Sequence, residues 1–396
     1  MKNVKNSACF SSLKNQEGGI YIHIPFCVNK CLYCDFYSGG VRIAEWPLFV
    51  DSLIQELNSR LNEINFCPST IYIGGGTPSL IPSEFFTSLL TKINESLFYP
   101  EWKEFTLEVN PEDVSKEKIE TWKQNGVNRI SMGIQSLNNE ELRKIGRKHG
   151  REGALIALDQ LKRNFSNVSV DIMYGLPGQT VESYYESITQ ILDFEPQHLS
   201  AYSLMLEEGT AISLLASKNK IILPNEDEWF EMYNLTNTLL KSKGFRRYEI
   251  SNYSKPGFES RHNNLYWNGN PYLGLGPAAH SFDGMRERRA NPNDIKGYCQ
   301  RFSNNFQKEQ FPFFVSEVLS DNELKEEFIM TRLRMAEGLE LDNFEKRFGN
   351  VEKNKLLHQS QSYLKENLME EKNGFLYLND NGFRLYNTII TKLWDI

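Results

Sequence analysis

Through the first half of the chain, short runs rich in β-branched and aromatic residues alternate with longer stretches whose apolar positions recur every three to four residues. The short runs, at 19–26, 70–74, 104–109, 129–134, 168–173 and 198–204, predict strands. The stretches 46–61, 83–97, 116–125 and 182–194 predict helices. In 46–61 the residues Phe49, Leu53, Ile54, Leu57 and Leu61 fall at helical spacing, so one face is buried. Alternating strands and helices predict a parallel sheet, because parallel strands need a crossover element between them. Six such units are too few for an eight-stranded barrel, so the expectation is an α/β fold with an open, partial (β/α)6 barrel over residues 19–220. In such sheets ligands collect at the carboxyl ends of the strands. Polar or glycine-rich segments fall at those ends here: from Cys27 onward, then 74–78, Asn110-Pro111, Gln135-Ser136 and 174–177, which predicts one shared site.

After about residue 206 the pattern changes. Residues 225–243 read as a helix, and 245–282 as an irregular segment rich in aromatics, Asn and Gly, within a linking region 221–310. Residues 311–396 carry helical patterns at 321–335, 341–348 and 353–368 and a β-like run at 374–378. They predict a mainly helical, winged-helix-like C-terminal domain that packs or acts as a lid. Residues 1–18 are polar, with Lys2, Lys5 and Lys14 and no apolar segment, and predict a flexible tail rather than a secretory signal. An organelle transit peptide is the alternative for that basic, Ser-containing tail.

The net charge of −7 argues against a nucleic-acid binder, which needs a basic surface to displace counterions. Arg286, Arg288 and Arg289 form the densest basic patch and read as a solvated loop. No apolar run approaches the roughly 20 residues of a bilayer span. Of six cysteines, Cys27, Cys31 and Cys34 cluster, while Cys9, Cys67 and Cys299 are scattered and read as plain thiols. This is no disulfide framework; a reducing cytoplasm and one metal site fit it better.

The segment Phe26-Cys27-Val28-Asn29-Lys30-Cys31-Leu32-Tyr33-Cys34 carries the strongest chemistry. Thiolates are soft ligands for iron–sulfur clusters and zinc. Structural zinc wants four ligands, usually as two separated pairs, and only His23 lies near enough in sequence to be a fourth. Three cysteines on a four-iron cluster leave one iron open to an amino acid's amino and carboxylate groups. In Gly74-Gly75-Gly76-Thr77-Pro78 the glycines let backbone groups approach a ligand without hindrance from Cβ. Glu108, Gln135, Arg147 and Asp171 lie within or after strands near the same ends. Asp171 sits in an apolar run, where a carboxylate is costly without partners.

The C-x3-C-x2-C spacing, with an aromatic residue before the last cysteine, resembles the radical S-adenosylmethionine (SAM) superfamily. That resemblance implies a radical SAM barrel with a [4Fe–4S] cluster on Cys27, Cys31 and Cys34 and SAM on the open iron. In the superfamily, reductive cleavage of SAM yields a 5′-deoxyadenosyl radical. Further motifs are similar to the oxygen-independent coproporphyrinogen III oxidase family. They are Tyr21-Ile22-His23-Ile24-Pro25-Phe26-Cys27, Gly133-Ile134-Gln135-Ser136, Arg147-Lys148-His149 and the stretch from Asp171 to Thr180. The likeness spans residues 19–390. It implies SAM contacts from Tyr21, Tyr33, Gly75, Gly76, Thr77, Glu108, Gln135, Arg147 and Asp171, with Met205 a further contact. Asp171 would meet ribose hydroxyls; its plainer role is an internal hydrogen bond.

Two departures separate this sequence from the oxidases. They carry a further cysteine where Phe36 stands, and a longer extension before the first strand. Both departures are shared by the heme-chaperone (HemW) branch, whose H-N-x-x-Y-W motif matches His262-Asn263-Asn264-Leu265-Tyr266-Trp267. The segment from Gly274 to Ser281 is also similar. This implies a protein that binds heme as cargo and delivers it to apo-hemoproteins, respiratory ones among them. Partners would include a flavodoxin- or ferredoxin-type reductant and, for a homodimer, a second copy; membranes would be met peripherally through partners. The alternative is an oxidoreductase that decarboxylates coproporphyrinogen III to protoporphyrinogen IX. Imidazole is a common axial ligand of heme iron, so His262 is the expected heme-contacting residue and His280 the second candidate. In the plainer reading both rings bond backbone carbonyls.

Overall fold

The computed structural model describes residues 16–40, 43–302 and 315–394. Most of the expected N-terminal tail, with Cys9, lies outside the described residues. Strands β1 (Glu17–Ile24), β2 (Cys67–Gly75), β3 (Glu104–Val109), β4 (Arg129–Gln135), β5 (Val168–Tyr174) and β6 (His198–Ser203) lie side by side in chain order. Each neighbouring pair is parallel. The helices Trp46–Arg60, Ser83–Ser96, Lys116–Gln124, Arg151–Asn164 and Val181–Leu192 lie between them in sequence. This is the partial (β/α)6 barrel expected from periodicity.

The sheet is wider than those six strands. β7 (Arg246–Arg247) and β8 (Asn252–Ser254) extend it antiparallel beyond β6, in the order β6, β8, β7. On the other flank β9 (Tyr272–Leu275) pairs parallel with β1. There follow β10 (His280–Phe282), β11 (Glu287–Ala290) and β12 (Val315–Val318), each antiparallel to its neighbour. The segment 245–282, expected to be irregular, thus holds strands and a helix. Strands of two to four residues show too little alternation to be read in sequence.

The two faces of the parallel strands differ sharply. Ile20, Ile22, Ile71, Ile73, Leu107 and Val170 face the helices and are fully buried. Each such side chain contributes about 1.5–3 kcal/mol on leaving water. On the opposite face one ladder runs Tyr21, Tyr72, Thr106, Arg129 and another Glu108, Ser131, Ser169, His198. These polar groups satisfy one another: Ser169 Oγ lies 2.7 Å from His198 Nδ1, whose Nε2 lies 2.9 Å from the Tyr248 hydroxyl.

The helix Arg261–Trp267 packs against that polar face, over β1 and β2. The Ser260 side chain accepts the Asn263 N–H, and Glu104 accepts those of Arg261 and His262 at 2.8 and 3.0 Å. Both groups occupy orphan donors of the first turn. Gly269, at φ +67°, turns the chain out of the helix after Asn268, as a glycine without Cβ does at no steric cost.

A second apolar core, with Phe328, Leu333, Phe344, Leu356 and Ile389, belongs to the C-terminal part. There a three-stranded sheet in the order Leu339–Glu340, Phe375–Leu378, Met369–Lys372 accompanies the helices Asp321–Arg334, Leu341–Phe348 and Asn350–Lys365. This is the expected helical, winged-helix-like arrangement. It docks on the sheet through Arg334, which lies 2.6 Å from buried Glu249 and stacks 4.4 Å from the centre of Trp267.

Candidate functional site

The three clustered cysteines sit where β1 ends. Phe26–Cys27 pairs with Gly39–Gly40, which closes the intervening residues into a loop over the strand ends. Cys27 is buried, Cys31 and Cys34 are half-buried, and all three are free thiols. Thr77 Oγ1 donates to Cys27 Sγ at 3.4 Å, and Arg147 Nη1 points at Cys31 Sγ at 3.7 Å. Asn110 ties these two contacts together, donating to Thr77 Oγ1 at 3.4 Å and accepting from Arg147 Nη1 at 3.0 Å. Residues from the connections after β2, β3 and β4 therefore converge on the cysteine loop. Burial, then the neighbouring thiols, raise the Cys34 pKa.

Gly75 and Gly76 let β2 approach this loop. Gly76 N–H donates to Ile24 O at 2.8 Å, and a Cβ there would lie 2.8 Å from Phe26 O and 3.0 Å from Cys27 Sγ. Gly75 has φ +112°, and a Cβ would lie 2.6 Å from the His23 ring. His23 itself is committed, with Nδ1 3.0 Å from the Tyr21 hydroxyl and Nε2 2.9 Å from Tyr37 O. It is therefore no fourth ligand beside the cysteines.

Glu108 accepts the Tyr72 hydroxyl at 2.7 Å and Gly75 N–H at 3.1 Å. Burial nevertheless raises its pKa to about 7, with Asp171 adding to the rise. Asp171 accepts Ser131 Oγ at 3.2 Å, and burial raises its pKa too. Gln135 has φ +68°, and its buried Oε1 has no hydrogen-bond partner among the described residues. Arg147 Nη2 donates to Gly133 O, while its buried Nε has no partner among the described residues. Tyr33 lies on the cysteine loop, its pKa raised above the usual tyrosine range by burial and the thiols. Met205 is exposed in the segment after β6.

These residues fit a [4Fe–4S] cluster and SAM. Among the described residues no three His, Cys, Asp or Glu side chains converge tightly enough for a single metal ion. A four-iron cluster accepts more widely spaced thiolates, and Arg147 supplies positive charge beside them. Gln135 Oε1 and Arg147 Nε are buried polar atoms that a ligand would complete. The carboxylates of Glu108 and Asp171 suit an ammonium and hydroxyls.

His262 is where expectation and geometry part. It is 0% exposed, with Nδ1 2.7 Å from Thr70 Oγ1 and Nε2 2.8 Å from the Tyr266 hydroxyl, and it stacks on Tyr72. Both nitrogens are occupied, so in this conformation the ring braces the helix against β2 and offers no lone pair to heme iron. His280 makes no side-chain hydrogen bond among the described residues and lines a cavity instead. Sequence reasoning also missed Asn110 as a link to both cysteines, although Asn110-Pro111 marked the strand end. Glu104 carried no signal, since its cap is made to a helix more than 150 residues away.

The stretch Gly175-Leu176-Pro177-Gly178-Gln179-Thr180 proves structural. Gln179 donates to Glu141 and to Met173 O, and Thr180 with Ser183 forms a capping box on the helix Val181–Leu192.

Residues 21–191 match the Radical SAM superfamily, and residues 319–385 match the HemN C-terminal domain. The chain is 34% identical to "Heme chaperone HemW" of Lactococcus lactis subsp. lactis (strain IL1403), over 94% of this chain and 96% of that protein. It is 32% identical to "Heme chaperone HemW" of Bacillus subtilis (strain 168), over 93% and 97% respectively. Its fold matches that of coproporphyrinogen III oxidase (HemN) from Escherichia coli with a TM-score of 0.80, at 20% identity, over 98% of this chain and 93% of that one. The chain belongs to the HemW family of heme chaperones, within the radical SAM superfamily.

Proposed function

We propose that this protein binds heme and hands it to apo-hemoproteins, and that Cys27, Cys31 and Cys34 hold a [4Fe–4S] cluster with SAM beside it. The observation that carries the reading is the chain-long similarity to proteins named heme chaperones. Two local features support it. Phe36, 66% exposed, stands where the oxidases carry a cysteine. Beside it opens a cavity of about 540 Å³ with aromatic walls, large enough for a flat apolar cargo.

When bound, the cluster and SAM supply one-electron chemistry. The chain's own residues hold them: Thr77 and Arg147 bond the thiol sulfurs, Gly75 and Gly76 open room for backbone contact, and Glu108, Gln135 and Asp171 orient SAM. In this reading they regulate heme loading or release. A reductant of flavodoxin or ferredoxin type and a second copy of the chain complete the partners. The compartment is the cytoplasm, with membranes met through the acceptor; among the described residues no helix is long and apolar enough to cross a membrane.

The test is anaerobic reconstitution of the cluster, followed by hemin titration, transfer to an apo-hemoprotein, and assay of coproporphyrinogen III turnover with SAM and reductant. Heme binding and transfer without porphyrinogen product is the expected result. Formation of protoporphyrinogen IX would overturn it in favour of the oxidase.

A further inference from the structure

The cavity beside the cysteine loop is built from three parts of the chain. The loop contributes Asp35, Phe36 and Tyr37; the capped helix contributes Tyr266 and Trp267; the antiparallel flank contributes Tyr272, His280, Phe282 and Arg288. The C-terminal helix Asp321–Arg334 closes one side with Glu327, Met330 and Thr331. Its aromatic walls are continuous: Tyr266 and Tyr272 lie edge to face at 4.6 Å between ring centres, and Tyr272 and Phe282 are tilted by 44° at 6.3 Å.

The protein has six histidines, and their commitments differ. His23, His198 and His262 use both ring nitrogens. His149 bonds Ile134 O and lies 3.5 Å from Glu112. His358 is exposed on the helix Asn350–Lys365. Among the described residues, His280 alone is both uncommitted and on the wall of this cavity. His280 is exposed at the cavity wall, and partial desolvation, then Arg288, push its pKa down, the direction that favours the neutral ring that ligates iron.

Register places the groups in useful relation. Phe282 pairs with Arg288 and His280 with Ala290 across β10 and β11, so all four side chains share one face. His280 and Arg288 are diagonal neighbours on it, roughly 7–8 Å apart. Phe282 lies between them, with the Arg288 guanidinium 5.1 Å from its ring centre. Arg288 is ion-paired with Glu327 but carries five N–H donors, more than one carboxylate uses. Asp35 and Glu327 are the acidic groups on the wall, and they leave Arg288 as the place for an anionic substituent.

Resting on the heme-chaperone reading, we infer that this cavity is the heme seat, with His280 as the iron ligand and Arg288 as the partner of a propionate. The macrocycle packs against Phe282 and Tyr272, and Phe36 and Tyr37 bring the cysteine loop to its edge. His262 shapes the floor through Tyr266 and does not touch the iron. Glu327 exchanges Arg288 with the propionate, so loading changes how the C-terminal part is tied to the sheet.

The experiment titrates hemin into the reconstituted full-length protein and follows the Soret band. His280→Ala is expected to weaken binding by about tenfold or more and to shift the band. Free imidazole is expected to restore the wild-type spectrum. His280→Met, which keeps a ligand of another kind, retains binding with a changed spectrum. Arg288→Ala weakens hemin binding but leaves binding of the hemin dimethyl ester, which lacks propionate charge, unchanged. Wild-type affinity and spectrum in both His280 variants would overturn the assignment while leaving the chaperone reading intact. Absence of a hemin band in the wild-type protein would instead overturn the chaperone reading itself.

Discussion

The carboxylate of Glu104 caps the helix that carries His262, accepting the His262 backbone N–H at 3.0 Å. The same carboxylate takes the Arg261 N–H at 2.8 Å and the Ser260 hydroxyl at 3.3 Å. A side chain on the polar face of β3 thus holds in place a helix from far along the chain. Glu104→Gln keeps the shape and loses the charge and one of the two acceptor oxygens. It is expected to lower stability by about 1–2 kcal/mol. Urea unfolding checks this; an unchanged midpoint would mean that the cap is idle.

The cysteine triad is expected to act as one unit. Single Ala substitutions at Cys27, Cys31 or Cys34 should each abolish the cluster, since a four-iron cluster with two thiolates is held poorly. Iron content and the visible absorbance after anaerobic reconstitution report it. Full iron in all three variants would contradict the ligand set, whereas Cys67→Ala and Cys299→Ala should leave it intact.

Gly75 cannot carry a side chain cheaply. Its φ of +112° and a Cβ contact of 2.6 Å to the His23 ring act together. Gly75→Ala is expected to cost about 1–3 kcal/mol from backbone strain, with the clash added. It should also weaken SAM binding, because the Gly75 N–H that steadies Glu108 shifts. Isothermal titration with SAM reads the second effect; affinity equal to wild type would argue that β2 does not contact the cofactor.

Glu108 gives a pH dependence with a definite sign. Burial raises its pKa from 4.5 to about 7, with Tyr72, Asp171, Gly75 and Arg129 around it. The folded state therefore holds this proton more tightly than the unfolded chain. Its contribution to stability is full below pH 4.5 and is lost as pH rises through about 7. A cationic ligand favours the ionised carboxylate. SAM affinity is thus expected to rise between about pH 6 and about pH 8, with proton uptake by the buffer, and Glu108→Gln should flatten the profile. A wild-type profile in that variant would assign the titration to another group.

Glu56 anchors the flank that carries the cavity. It is 0% exposed and accepts from Arg60 Nη1, Gly276 N, Asn291 Nδ2 and the Tyr298 hydroxyl, at 2.7–2.8 Å. Glu56→Ala removes a shared acceptor from four donors, while Arg60 keeps Glu63 at 3.0 Å and Gly274 O at 3.0 Å, and is expected to cost about 1–3 kcal/mol. Thermal unfolding measures it; a loss below about 1 kcal/mol would show that water replaces the carboxylate.

The apolar period and the motif spacing by themselves determined the parallel strands, their helices, the winged-helix-like end and the cysteine loop. These features are local: a strand's alternation and a C-x3-C-x2-C loop are written in consecutive residues. Tertiary structure alone decided the rest. It widened the sheet through strands too short to show a period. It turned His262 from a candidate ligand into a brace, because Thr70 and Tyr266 meet its two nitrogens only once β2 and the helix are packed. It left the His280 ring uncommitted among the described residues at a cavity wall, because β10 pairs with β11 and turns that face toward the cavity. A histidine's role depends on which acceptors and donors the fold brings to its two nitrogens, and those partners come from distant segments that local pattern does not record.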